Sequence, residues 1–234
     1  MRGRLLSVIV PVFRNEATLA ELHRRIAAAL EREAIAREII FVDDGSDDRS
    51  AEAIRGIMSR DPGVRLLSLP KNGGQQQAVL AGMRAARGEL VATLDADLQD
   101  PPEALPSLVA RMDGSADAVF ATRRGAYESA VRLRTSRFFK WLLGKLTSLP
   151  PGAGMFLVMT GETARAILDA PPQPFYLPSA LMRVTRRVAA VPVERARRTA
   201  GTSQYTSLGR ARLAIGALVG ALRSHPRRPL RRHR

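Results

Sequence analysis

The chain has 234 residues, 45% of them hydrophobic, which is enough for one large domain with a packed core. It has no cysteine, which excludes a disulfide framework and thiolate chemistry, and at 5% aromatic content it lacks the makings of a base-stacking platform. The net charge is +15 with only three lysines (Lys71, Lys140 and Lys145), and this suits an anionic partner, membrane lipid ahead of nucleic acid, as well as it suits the arginine codons of a GC-rich genome.

Strand and helix signals alternate from the start. Residues 1–10 begin like a leader but run straight into Pro11 and Phe13, so 5–12 is expected as the first strand. Asn15 is placed to cap a helix over 18–33, with Leu19, Leu22, Ile26 and Leu30 on one face. A strand at 38–43, a helix at 50–60, a strand at 64–69, a loop at 71–74 and a helix at 75–87 follow. The apolar run 90–94 reads as a buried strand ending in Asp95-Ala-Asp97-Leu-Gln99. Asp100-Pro-Pro-Glu103 has the pattern of a helix start, with Asp100 as N-cap, Pro101 at the first position and Glu103 closing a capping box. A strand at 117–122 completes this half, and the βαβα order implies a mostly parallel sheet with helices on both faces.

Beyond Arg123 the pattern changes to a basic helix at 129–146, a Pro/Gly break at 150–154, a strand at 155–160, a short helix at 162–168 and a Pro-rich loop at 170–178. A last strand at 188–193 precedes a polar loop at 195–207, an amphipathic helix at 208–223 and an Arg-rich tail at 224–234 expected to be disordered. The apolar run 213–222 is well short of the roughly 20 residues a spanning helix needs, so no transmembrane segment is expected.

The 95–99 segment carries the most chemistry. In an open α/β sheet, ligands bind at the carboxyl ends of strands. Alternate residues of an extended segment share a face, so Asp95, Asp97 and Gln99 can converge on one point. Two carboxylates and an amide oxygen suit a hard divalent cation, with positions left for a diphosphate.

Four segments together resemble family 2 glycosyltransferases, the inverting group with the GT-A fold: Ser7-Val-Ile-Val-Pro-Val-Phe-Arg-Asn-Glu16, Phe41-Val-Asp-Asp-Gly-Ser46, Lys71-Asn-Gly-Gly74 and the Asp95/Asp97 segment. The Asp-Leu-Gln-Asp-Pro-Pro-Glu form is similar to the polyisoprenyl-phosphate branch, and the Gln-x-x-Arg-Trp motif of the processive branch is absent. The resemblance implies an α/β GT-A domain over 1–207, with a nucleotide-sugar and metal half at 1–125 and an acceptor half at 126–207. It implies a nucleotide-sugar site of Pro11, Phe13, Glu16, Asp43, Asp44, Lys71, Asp95, Ala96 and Arg198, with Asp44 reading the base and Glu16 facing the ribose. It makes Asp95, Asp97 and Gln99 the ligands of Mg2+ or Mn2+, and Asp97, Arg123, Arg132 and Ser136 the catalytic set. Glu16 and Asp43 also have ordinary readings, as a first-turn acid and a turn residue.

The expected reaction transfers a sugar from a nucleotide diphosphate sugar, UDP ahead of GDP, to a polyprenyl phosphate. It is expected in the cytoplasm, at the inner face of the cell membrane. The expected partners are the donor, the polyprenyl phosphate, an anionic membrane surface that the 208–223 helix could meet, and a second copy or a membrane subunit. One departure stands out: the 151–159 segment lacks the Asp before a Gly and the following Arg of that branch. Three readings compete with this one. A transferase acting on a saccharide hydroxyl would need a base, and no Asp or Glu lies between Glu128 and Glu162. A non-catalytic nucleotide-sugar-binding subunit would explain the missing residues. A receiver-like domain would explain Asp43 and Asp44 but not Asp95, Asp97 and Gln99.

Overall fold

The computed structural model describes residues 4–124, 149–170 and 176–194. The elements expected at 129–146 and 195–234 lie outside the described residues, and with them Arg132, Ser136 and Arg198. Seven strands form one sheet: β1 (Leu6–Val12), β2 (Arg37–Asp43), β3 (Val64–Ser68), β4 (Leu90–Thr93), β5 (Ala118–Arg124), β6 (Ala153–Thr160) and β7 (Val188–Glu194). Their order across the sheet is β3-β2-β1-β4-β6-β5-β7. The pairs β1–β2, β1–β4, β2–β3 and β5–β7 are parallel, whereas β6 runs against both β4 and β5. The sheet is therefore mostly parallel, as expected, with one reversed strand that the apolar pattern of 155–160 does not announce.

The period of two along the strands divides the core. Val8, Val10, Ile39, Phe41 and Ala92 face the layer of α1 (Glu16–Arg32), α2 (Ser50–Met58) and α4 (Leu105–Ala110), where Leu19, Leu22, Ile26, Ile54 and Leu108 meet them. Ile9, Ile40, Val42, Val91 and Phe120 face the layer of α3 (Gln75–Ala85), α5 (Gly161–Leu168) and α6 (Leu177–Val184). Each fully buried Leu, Ile or Phe is worth about 1.5–3 kcal/mol relative to exposure. Gly82 lets α3 lie hard against β1: a Cβ there would stand 2.4 Å from Ile9 Cγ2. That contact fixes where the first turn of α3 meets the carboxyl edge of the sheet.

Three local expectations are corrected. Asn15 sits at the N-cap position of α1, but its side chain accepts from Phe13 N at 3.0 Å and caps nothing. Asp100 is not the N-cap of the next helix. Pro101 precedes another proline and is held extended (φ −73°, ψ 118°), so a 3-10 turn, Pro102–Ala104, starts one residue later. Glu103 then pairs with Arg25 at 2.6 Å in place of closing a capping box. The supposed loop 170–178 contains the start of α6, whose Pro178 lies in the first turn, where no N–H is required.

The amino edge of the sheet is tied by a buried polar knot. Glu38 Oε1 accepts from Ser7 Oγ at 2.6 Å and from Arg87 N at 2.7 Å, and Oε2 accepts from Arg65 Nη1 at 2.9 Å. Burial pushes the Glu38 carboxyl up, but the bonds from Ser7, Arg87 and Arg65 outweigh it and hold the group below its ordinary range. A carboxyl lowered on folding stabilises the fold above its unfolded pKa, about 4.3, and loses that stabilisation as pH falls through the folded value. Glu38→Gln should therefore cost about 2–3 kcal/mol near neutrality, because the amide turns a donor towards Arg65. It should lower Tm by roughly 5–10 °C and flatten the decline of Tm below about pH 5. A variant with the wild-type Tm–pH profile in calorimetry would show that the knot contributes nothing.

Candidate active site

Four segments meet at the carboxyl edge. β1 ends at Val12, and Phe13 and Arg14 follow. β2 ends in Asp43, with Asp44 next; both are buried. Asp44 accepts from Gly73 N with Oδ1 and from Gly74 N with Oδ2, both at 2.8 Å. Gly45 has a φ of +69°, and a Cβ there would lie 2.8 Å from Asn72 N, so the 43–46 and 71–74 loops touch backbone to backbone. Gln75, the first residue of α3, donates from Nε2 to Asp95 Oδ1 at 2.5 Å. A single short stretch, Gly73–Gly74–Gln75, thus holds a carboxylate from the end of β2 and a carboxylate from the end of β4.

The Asp95–Gln99 loop is fixed from several sides. Leu94 N donates to Ile9 O at 3.1 Å, and the Thr18 hydroxyl donates to Ala96 O at 2.7 Å. Asp97 Oδ1 accepts from Gln99 N at 3.1 Å across Leu98, which has a φ of +58°. A left-handed leucine costs about 1–3 kcal/mol, and such strain collects where geometry serves a ligand. Arg14, at the end of β1, also has a positive φ of +54°.

The donor set fits a hard cation. Asp95 and Asp97 are half-buried carboxylates two residues apart; the segment turns at Ala96–Leu98, with Leu98 left-handed, and does not run extended as expected, so Asp95, Asp97 and Gln99 do not lie along one extended face. Among the described residues no group of three or more His, Cys, Asp or Glu could hold a metal. A pair of carboxylates is what Mg2+-type ions use when substrate phosphates complete the shell.

A family model described as "Glycosyl transferase family 2" matches residues 7–179. The chain belongs to this family. Its curated relatives include undecaprenyl-phosphate 4-deoxy-4-formamido-L-arabinose transferases. The one from Edwardsiella ictaluri is 36% identical over 206 residues, covering 86% of this chain and 63% of the relative. The one from Pseudomonas paraeruginosa is 37% identical over 207 residues, covering 87% and 61%. The chain thus spans less than two thirds of the length of these relatives. Among solved structures, glucosyl-3-phosphoglycerate synthase from Mycobacterium tuberculosis, crystallised with Mn2+ and UDP-glucose, superposes with a TM-score of 0.67. Its identity is 19%, covering 94% of this chain and 78% of that one. That likeness bears on the fold alone, which is the expected GT-A arrangement.

Within this family-2 frame, the residues expected at the nucleotide fall into different settings. Pro11 lies in β1 past the end of its pairing with β4, which stops opposite Ile9, so its missing N–H leaves no gap there. Phe13 is half-buried, and the Arg14 guanidinium lies 5.2 Å from its ring centroid, so a flat base would share the ring with that cation. Glu16 is in the first turn of α1 and accepts from Arg49 N at 2.8 Å, which ties α1 to the start of α2. Asp43 Oδ1 accepts from Ser46 N at 3.2 Å, a turn contact. Lys71 is exposed, and Ala96 is buried.

Arg123 lies inside β5, its backbone in register with Val193 of β7, because the strand continues past Thr122 to Arg124. The segment that lacks the expected Asp and Arg forms the start of β6, where the Thr93 hydroxyl donates to Met155 O. Sequence reasoning passed over Gln75 and Gln76. Gln76 accepts from Leu177 N at 3.1 Å and so joins α3 to α6. Three glutamines in a row directly after a Gly-Gly pair were the available signal.

Proposed function

We propose that the chain transfers a sugar, with inversion, from a uridine diphosphate sugar to a polyprenyl phosphate. The reaction takes place at the inner face of the cytoplasmic membrane and uses Mg2+ or Mn2+. The observation that carries this reading is the short turn whose neighbouring residues hold Asp44 on one side and Asp95 on the other. A nucleoside diphosphate has a base at one end and a diphosphate at the other, and the two carboxylates are suited to those ends. The printed names of the relatives support undecaprenyl phosphate as acceptor and 4-deoxy-4-formamido-L-arabinose as the first sugar to test.

Asp44 accepts an N–H of the base with lone pairs left beside its two glycine contacts, since a carboxylate offers about four acceptor positions. Phe13 supplies the apolar wall. Asp95 and Asp97, with the Gln99 side-chain oxygen, would hold the cation, which when bound supplies Lewis-acid neutralisation of the leaving diphosphate. An acceptor phosphate oxygen attacks the anomeric carbon. The bond from that carbon to the diphosphate oxygen breaks, and its electron pair leaves with the nucleotide. The nucleophile is already an anion, so no base has to remove a proton. This accords with the lack of acidic residues between Glu128 and Glu162. Arg123, Arg132 and Ser136 hold the acceptor phosphate, and Arg198 closes over the donor. The basic 208–234 segment meets the anionic surface. Among the described residues no helix is long and apolar enough to cross a membrane.

The test incubates the protein with a panel of UDP- and GDP-sugars, Mn2+, and either undecaprenyl phosphate or a soluble glycan, with products read by mass spectrometry. Lipid-linked sugar is expected. Transfer only to the glycan would overturn the acceptor, and donor binding without turnover would leave a nucleotide-sugar-binding protein. Arg123→Ala and Arg132→Ala should raise the apparent KM for a short-chain polyprenyl phosphate while leaving UDP affinity unchanged in calorimetry. Deletion of 208–234 should instead reduce sedimentation with anionic vesicles, an effect that added salt reproduces.

A further inference from the structure

Gln75 reaches the Asp95–Gln99 loop from outside it, donating its side-chain amide to Asp95 Oδ1 at 2.5 Å. It sits on a rigid base. Gly74, just before it, has a φ of +86° and is bonded by Asp44 and by Asn72 Oδ1 at 3.1 Å. Gln76, just after it, is bonded to the start of α6. Further along the helix, Gly82 seats it against Ile9. A side chain carried on so constrained a turn has little freedom, and an amide N–H on one oxygen of a carboxylate sets the plane of that carboxylate. Groups of this kind commonly decide how well a metal ligand is presented.

We infer that Gln75 is a positioning residue: it orients Asp95 for the divalent cation and does not itself touch the cation or the sugar. The inference rests on the cation reading proposed above. The experiment titrates Mn2+ into the full chain in the presence of UDP, following free Mn2+ by electron paramagnetic resonance. UDP affinity is measured separately without metal. The variants are Gln75→Ala and Gln75→Met, the latter keeping side-chain length and helix propensity, with Gln77→Ala, an exposed neighbour, as control. Both Gln75 variants should raise the Mn2+ Kd about 10-fold, leave metal-free UDP affinity unchanged, and recover kcat at saturating Mn2+. The control should behave as wild type. Wild-type Mn2+ affinity in both Gln75 variants would overturn the role while leaving the cation reading intact. Equal losses of Mn2+ and metal-free UDP affinity would show a structural part only, and overturn it too. A wild-type chain that takes up no Mn2+ with UDP would overturn the cation reading and this inference together.

Discussion

Asp97→Asn should fold normally and lose roughly 100-fold or more in turnover. In the proposed cation site, replacing a charged ligand by a neutral amide removes several kcal/mol of charge stabilisation, and each 1.36 kcal/mol is a factor of ten. The fold survives because the bond from Gln99 N to Asp97 Oδ1 lies within one loop and can be accepted equally by an asparagine oxygen. Asp95→Asn should lose less, since the amide oxygen introduced there can still take the Gln75 N–H and hold its orientation. The measurement is turnover at limiting and saturating Mn2+, with circular dichroism to confirm folding. Wild-type turnover of the Asp97 variant at limiting metal would remove Asp97 from the cation site.

Asp44→Ala should weaken UDP binding about 10- to 100-fold, from the roughly 1.5–3 kcal/mol of a hydrogen bond to a charged group. Two effects combine. On the proposed reading the base loses its acceptor, and in any case the Gly73 and Gly74 amides lose the carboxylate that fixes the loop. Amide hydrogen exchange at those two glycines should accelerate in the same variant. Asp43→Ala removes the turn contact to Ser46 N and should weaken UDP binding less. Equal and negligible effects of the two changes in calorimetry would move base recognition elsewhere.

The first half of the fold was legible because its signals are local and repeated. Leu19, Leu22, Ile26 and Leu30 mark α1 by spacing alone, and the Asp pairs fall at the ends of apolar runs. The candidate site was legible as a set of loops but not as an assembly. Nothing in Lys71-Asn-Gly-Gly74 says that its glycine amides point at Asp44, because that contact joins residues 29 and 30 positions apart. Gln75 reads as one polar residue among three until α3 is docked on β1. Local rules also misfire where long-range partners compete: Asn15 and Glu103 each have cap chemistry, yet Phe13 N takes one and Arg25 the other. The direction of β6 could not be read, since an apolar run looks alike from either end.

That reversal has a consequence for how such a protein can change. Chain leaving β5 departs from the edge where Asp95 and Asp97 sit, and chain entering β6 arrives at that same edge. Whatever joins the two strands is therefore an excursion with both feet on one side of the sheet. Were β6 parallel to its neighbours, the same connection would have to cross to the far edge, and its length would be set by that crossing. With the strand reversed, the connection can be lengthened, shortened or exchanged without rethreading a strand or disturbing the knot at the opposite edge. The loops at 43–46, 71–75 and 95–99 hang on other strands and need not move when that excursion changes.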